Sequence, residues 1–94
     1  MMAGKIIRSP FVDMRYAPLP GRIAFAVVIS AKAAPKAVDR NRVRRRGRAI
    51  LGKLGKKLIP GHAIAFFCKK GTAELPFSEL ETTITSLLTK ASLL

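Results

Sequence analysis

Reactive and cross-linking side chains are scarce in this sequence of 94 residues, which holds one cysteine, one histidine, one tyrosine and no tryptophan, with only five Asp and Glu. A lone Cys68 excludes an intramolecular disulfide and suits a reducing compartment. A protein nuclease needs carboxylates that hold metal ions, or paired histidines for proton transfer. Asp13, Asp39, Glu74, Glu79 and Glu81 are spread along the chain, and His62 stands alone after the Pro60-Gly61 turn. No catalytic residue and no metal ligand is therefore expected in the protein. Long apolar runs are missing too. The longest, Ile23 to Ile29, is far below the roughly 20 residues that cross a bilayer. It lies behind Arg15 and Arg22, which excludes a signal-peptide reading. No membrane partner is implied, and a soluble, cytoplasmic protein is expected. With no repeat, low-complexity tract or linker, residues 1–94 read as one domain with a thin core.

What the chain has in excess is positive charge. Eighteen Lys and Arg against five acids leave a formal charge of +13, a self-repulsion that makes sense mainly when a polyanion neutralises it. The charge is uneven: eleven of the eighteen basic residues lie between Lys32 and Lys57, with Asp39 the only acid among them. The hydrophobic fraction of 49% is that of a folding chain, not of a basic tail.

Hydrophobic periodicity predicts the elements around this block. Lys5 to Arg8, Pro10 to Tyr16 and Arg22 to Ser30 read as strands, the last two separated by the turn Pro18-Leu19-Pro20-Gly21. In Arg22 to Ser30, Ile23, Phe25, Val27 and Ile29 alternate with Ala24, Ala26 and Val28, so both faces are apolar and a central place in the sheet is expected. Val43, Gly47, Ile50, Leu51, Leu54 and Leu58 form one helical stripe through the basic block. Gly47 within that stripe would let the helix approach the sheet closely, whereas Gly52 and Gly55 weaken its last turns. Asp39 reads as a helix N-cap or a local ion-pair partner. His62 to Lys69 is a fourth strand with Ile64, Phe66 and Cys68 on one face, which makes Cys68 a small core residue. A second helix begins near Phe77, with Ser78 and Glu81 at capping-box spacing and a buried stripe of Phe77, Leu80, Ile84, Leu87, Leu88 and Ala91. The order β-β-β-α-β-α predicts an α+β fold, one sheet packed against two helices.

Gly47 to Lys53 fits the first positions of a phosphate-binding loop, but Leu54 stands where a hydroxyl is needed and the stretch lies inside a helix. The functional signal lies in the arginines. Six occur from Arg40 to Arg48. At helical spacing Asn41, Arg44, Arg45 and Arg48 share the side opposite the apolar stripe, with Arg42 and Arg46 flanking it. Guanidinium groups bind phosphate through two hydrogen bonds at once and stack on bases. A solvated face normally mixes charges of both signs, and this one has no acid after Asp39, so polyanion binding is the better reading.

The run Lys36-Ala37-Val38-Asp39-Arg40-Asn41-Arg42-Val43-Arg44-Arg45 resembles the Arg-Asn-Arg motif of the bacterial ribonuclease P protein subunit family. The resemblance extends through Ser9-Pro10, Phe25 to Ser30 with Lys32, Leu58-Ile59-Pro60-Gly61, Lys69-Lys70-Gly71 and Leu75 to Leu80. It departs from the family at Gly47 and Ala49, where a larger apolar residue and an acid are common. The family's additional N-terminal helix, whose aromatic residues help line the leader cleft, has no counterpart here. The resemblance implies a four-stranded mixed sheet with a left-handed β-α-β crossover, although about 98% of such crossovers are right-handed. It also implies a function in which a catalytic RNA, with Mg2+ at its own active site, removes the 5′ leader of precursor tRNA. The protein would bind that RNA and the leader as an accessory subunit, with no cofactor of its own and no protein partner required. On this reading Lys32, Lys36, Arg40, Asn41, Arg42, Arg44, Arg45 and Arg48 contact RNA, with Arg46 at the margin. Phe11, Arg15 and Tyr16 are weaker candidates for the leader. A structural RNA-binding protein of ribosome or ribonucleoprotein assembly, and a DNA-binding module with its helix in a major groove, are the other readings of the same basic helix.

Overall fold

The computed structural model describes residues 4–94. Strands β1 (Lys5–Ile7), β2 (Val12–Pro18) and β3 (Ile23–Ile29) precede helix α1 (Ala37–Leu54); strand β4 (His62–Cys68), a 3₁₀ turn (Thr72–Glu74) and helix α2 (Phe77–Lys90) follow it. The sheet order is β1-β2-β4-β3, with β1/β2 and β2/β4 antiparallel and β3/β4 parallel. The α+β class and the element order agree with the sequence reading. No helix among the described residues is long and apolar enough to cross a membrane.

β3 is at the edge of the sheet, not in its centre. A parallel partner cannot follow through a tight turn; it needs a crossover connection, so the chain runs through α1 and returns as β4, which enters between β2 and β3. Apolar residues occupy both faces of β3 for different reasons. Val27 and Ile29 face the helices, whereas Ala24, Ala26 and Val28 pair with Ala63, Ala65 and Phe67 on the opposite, uncovered face. Apolarity on two faces therefore marks a helix contact and an open surface here, not double burial.

Both helices lie on one side of the sheet, where Val12, Met14, Ile29, Ile64 and Phe66 meet Val43, Ile50 and Leu51 of α1 and Leu80, Ile84, Leu87 and Leu88 of α2. Phe77, expected in that stripe, opens α2 and stays 37% exposed. α1 and α2 are also joined at their surface by Lys53, whose ammonium donates to Glu81 at 2.7 Å. That bond, together with Pro76 at the N-cap, explains why the Ser78–Glu81 capping box does not form. The helix already starts at Phe77, so the Ser78 hydroxyl is inside the first turn and the Pro76 carbonyl accepts from the Glu79 and Leu80 amides. β2 also starts later than Pro10, because Ser9 forms a local turn with Val12, its hydroxyl donating to the Val12 carbonyl. β1 ends at Ile7, one residue short of Arg8. Leu58 is buried as the stripe predicts, but beyond the helix: Gly55 ends α1, and the Lys57 and Leu58 amides both donate to the Leu54 carbonyl.

Gly47 places α1 against β3. A Cβ at this position would lie 2.8 Å from Val27 Cγ2 and 3.2 Å from Cγ1, and a β-branched side chain has little rotamer freedom with which to yield. Gly47→Ala is expected to destabilise the fold by about 1–2 kcal/mol, since overpacking outweighs the gain in helix propensity. Adding Val27→Ala in the same chain is expected to recover part of the loss, measured as a coupling energy in a denaturation double-mutant cycle. Cys68 is nearly buried, and burial pushes its thiol up to about 11. Its alkylation at neutral pH is expected to be slow in the folded chain and to accelerate in denaturant, which a timed thiol-labelling assay reads.

Candidate nucleic-acid interface

The sequence of α1 puts six arginines on roughly two and a half turns, and the structure divides them by what their guanidinium groups touch. Arg40 folds back on the segment before the helix, donating to the carbonyls of Ala34 at 2.8 Å and Pro35 at 3.0 Å. Arg42 donates to the Ala73 carbonyl at 3.0 Å and meets Asp39 at 3.3 Å. Arg46 donates to the Leu75 carbonyl at 3.2 Å. These three bind α1 to its own approach and to the connection between β4 and α2. Each uses a backbone carbonyl, an acceptor that leaves the positive charge uncompensated; among the described residues only Arg42 also has a carboxylate. Asp39 is thus a local ion-pair partner, and Lys36 holds the N-cap position with no side-chain hydrogen bond.

The other three form the outward face. Arg44 donates to the Asn41 side-chain oxygen at 3.3 Å, which aligns the two groups. Arg45 and Arg48 are exposed and, among the described residues, donate to no protein acceptor. Lys32 and Lys36, both exposed, precede the helix and have no ion pair among the described residues. The acids that do form ion pairs lie elsewhere or on the flank: Asp13 with Lys69 at 2.8 Å and Arg8 at 3.8 Å, and Glu81 with Lys53. The hydrogen bond from Lys69 is the main cause that holds the Asp13 carboxyl below its ordinary range. Asn41, Arg44, Arg45 and Arg48 therefore present a cationic strip that the protein leaves unneutralised, with the side-chain chemistry that phosphate binding requires.

On the far side of the sheet lies a second surface. The uncovered face carries Ile6, Arg15, Ala17, Ala24, Ala26, Ala63 and Ala65 around a shallow cavity of about 560 Å3. Small residues set its floor. Arg15 borders it, with its guanidinium carbon 5.8 Å from the centre of the Phe67 ring beside the cavity, within cation–π range. Of the three residues singled out for the leader, Arg15 and Tyr16 both border this cavity, though their side chains leave the strand on opposite faces, and Phe11 lies apart from it. Arg15 is on this face; Tyr16 points to the helix side, in register with Ile64 and with its ring centre 6.2 Å from that of His62. Phe11 is before β2, against Gly71. Phe67 and the alanine floor were missed in the sequence, although the signal was available: Phe67 is out of phase with Ile64, Phe66 and Cys68, so it must face away from the core. Among the described residues, no group of three or more His, Cys, Asp or Glu side chains is placed to hold a metal ion.

The division of the arginines has a direct consequence for stability. Arg46→Ala is expected to cost about 1 kcal/mol, because it orphans a carbonyl between the 3₁₀ turn and α2. Arg45→Ala and Arg48→Ala are expected to stay within about 0.5 kcal/mol of the parent or to exceed it, since they remove only mutual repulsion. Urea denaturation of the three variants measures the difference.

Comparison with known proteins agrees with this architecture. The family model for ribonuclease P matches residues 1–92. The ribonuclease P protein component of Chloroflexus aurantiacus is 32% identical over 92 residues, covering 97% of this chain and 68% of that protein. That of Synechococcus sp. is 40% identical over 68 residues, covering 72% of this chain and 51% of that protein. This chain thus spans about half to two thirds of the length of these relatives. Among solved structures, a Staphylococcus aureus RNase P protein mutant superposes with a TM-score of 0.85 over 97% of this chain and 77% of that one, at 16% identity. The RNase P protein from Thermotoga maritima does so with 0.83 over 93% and 83%, at 20% identity. The two structural likenesses speak for the fold, and the family match along almost the whole sequence speaks for descent: this chain belongs to the ribonuclease P protein family.

Proposed function

We propose that this chain is the protein subunit of ribonuclease P, acting in the cytoplasm to assist removal of the 5′ leader from precursor tRNA. The observation that carries the reading is the outward strip of α1, where Arg45 and Arg48 stand exposed without a protein acceptor among the described residues. In this proposal Asn41, Arg44, Arg45 and Arg48 contact the phosphates of the catalytic RNA, and Lys32 and Lys36 extend the contact toward the start of the helix. Arg40, Arg42 and Arg46 hold the helix in place by their carbonyl bonds and add charge at its edges. Hydrolysis belongs to the RNA and to the Mg2+ that it binds.

The open sheet face suits a different part of the substrate. Its floor of small residues, with Arg15 above Phe67, offers a cation and an aromatic surface to an unpaired strand, the combination used for single-stranded nucleic acid. It lies on the opposite side of the sheet from the helices, so the catalytic RNA and the leader can be held at once. Among the three leader candidates, Arg15 is the one this geometry favours; Phe11 lies apart, beside α2.

Reconstitution tests the proposal. Adding the protein to a ribonuclease P RNA and precursor tRNA at low Mg2+ is expected to raise the rate of 5′ cleavage. A folded protein that gives no increase overturns the assignment. Affinity for the RNA is expected to fall steeply with salt, and each of Arg45→Ala and Arg48→Ala to flatten the log–log slope by about 0.7–0.9. Arg15→Ala is expected to leave RNA affinity intact and to weaken binding of precursor tRNA relative to mature tRNA, measured by competition.

A further inference from the structure

α1 contains two glycines whose surroundings are opposite. Gly47 is explained within the fold by Val27. Gly52 is not: a Cβ there would meet nothing within 4 Å among the described residues, and its φ is not in the region that favours glycine. It lies in the last turn of the helix, before the C-cap Gly55, and is exposed. A glycine that is helical yet exposed costs stability relative to almost any other residue, and here neither packing nor backbone conformation returns anything for that cost.

Its position on the helix is specific. Counting 100° per residue, Gly52 is nearly opposite the buried stripe of Val43, Ile50 and Leu51. It follows Arg45 by seven residues and Arg48 by four, so it continues their row. Lys56, exposed, lies in the turn that follows the end of the helix at Gly55. The outward row thus reads Asn41, Arg45, Arg48 and Gly52, with Lys56 just past the helix end: cations before and after a place where the helix backbone is bare.

We infer that the RNA-contacting surface of α1 extends past Arg48 to Lys56, and that Gly52 is the point where a ribose–phosphate strand of the RNA lies directly against the helix backbone. The inference rests on the reading of the outward strip as the RNA site and adds to it a contact made by the absence of a side chain. Guanidinium groups at Arg45 and Arg48 and the ammonium group at Lys56 reach phosphates on either side. A Cβ between them would hold the strand off and lengthen those charged hydrogen bonds, which weaken steeply with distance. The chemistry that fits is a polyanion with a continuous backbone, not an isolated phosphate.

The test turns on two quantities moving in opposite directions. Gly52→Ala is expected to raise the unfolding midpoint by about 4 °C. It is expected to weaken binding to a ribonuclease P RNA, transcribed in vitro, by about three- to tenfold. Gly52→Gln, a longer helix-forming residue, is expected to remain more stable than the parent and to weaken binding further. Ser86→Ala, on the exposed side of α2, controls for a general effect of a stiffer fold and is expected to leave RNA affinity unchanged. If Gly52→Ala and Gly52→Gln bind as tightly as the parent while Arg45→Ala and Arg48→Ala bind less tightly, the inference fails and the RNA site stands. If the arginine variants also bind like the parent, both fail together.

Discussion

Mutual repulsion among the arginines of α1 is the constraint around which this small fold is arranged. Six guanidinium groups in such a short span oppose helix formation unless something stabilises them. The protein does so sparingly. It offers backbone carbonyls at Ala34, Pro35, Ala73 and Leu75, and one carboxylate, Asp39. Carbonyl dipoles steady a guanidinium while leaving its charge in place. A row of acids would have given a more stable helix and an inert one. Half of the arginines secure the helix, and the remaining half keep the charge that a polyanion can meet.

The same economy is seen in the core. A chain of this length cannot bury much apolar surface, so each contact between layers must be close. Gly47 lets α1 approach Val27, and the connection through Arg42 and Arg46 holds the other flank against the 3₁₀ turn. The cationic strip is thereby carried on a rigid helix, not on a loop, which keeps the spacing of its donors constant.

Much of this was legible in the sequence because it depends on local periodicity. The α1 stripe, the role of Gly47, the burial of Cys68 and the grouping of Asn41, Arg44, Arg45 and Arg48 all follow from residue spacing. What was not legible depends on long-range pairing. The apolar character of β3 is the same whether a strand is buried on both faces or lies at an edge with one face open, and only the crossover through α1 decides between them. Likewise, no spacing rule shows that Arg42 and Arg46 bond to Ala73 and Leu75, some thirty residues away. Tyr16 and Arg15 are neighbours in sequence, yet strand alternation sends them to opposite sides of the sheet. The capping-box spacing of Ser78 and Glu81 was present without its function, because Pro76 had already begun the helix.

The insertion of β4 between β2 and β3 also bears on how the chain reaches this structure. As the polypeptide is synthesised, β1 and β2 can pair as a hairpin, but β2 and β3 are not neighbours and have nothing to join them. The sheet closes only when residues as far as Cys68 are available, and the arginine-laden segment spans the crossover between its two parallel strands. Assembly is therefore late and cooperative: the last strand to arrive is the one that joins β3 to the β1–β2 pair.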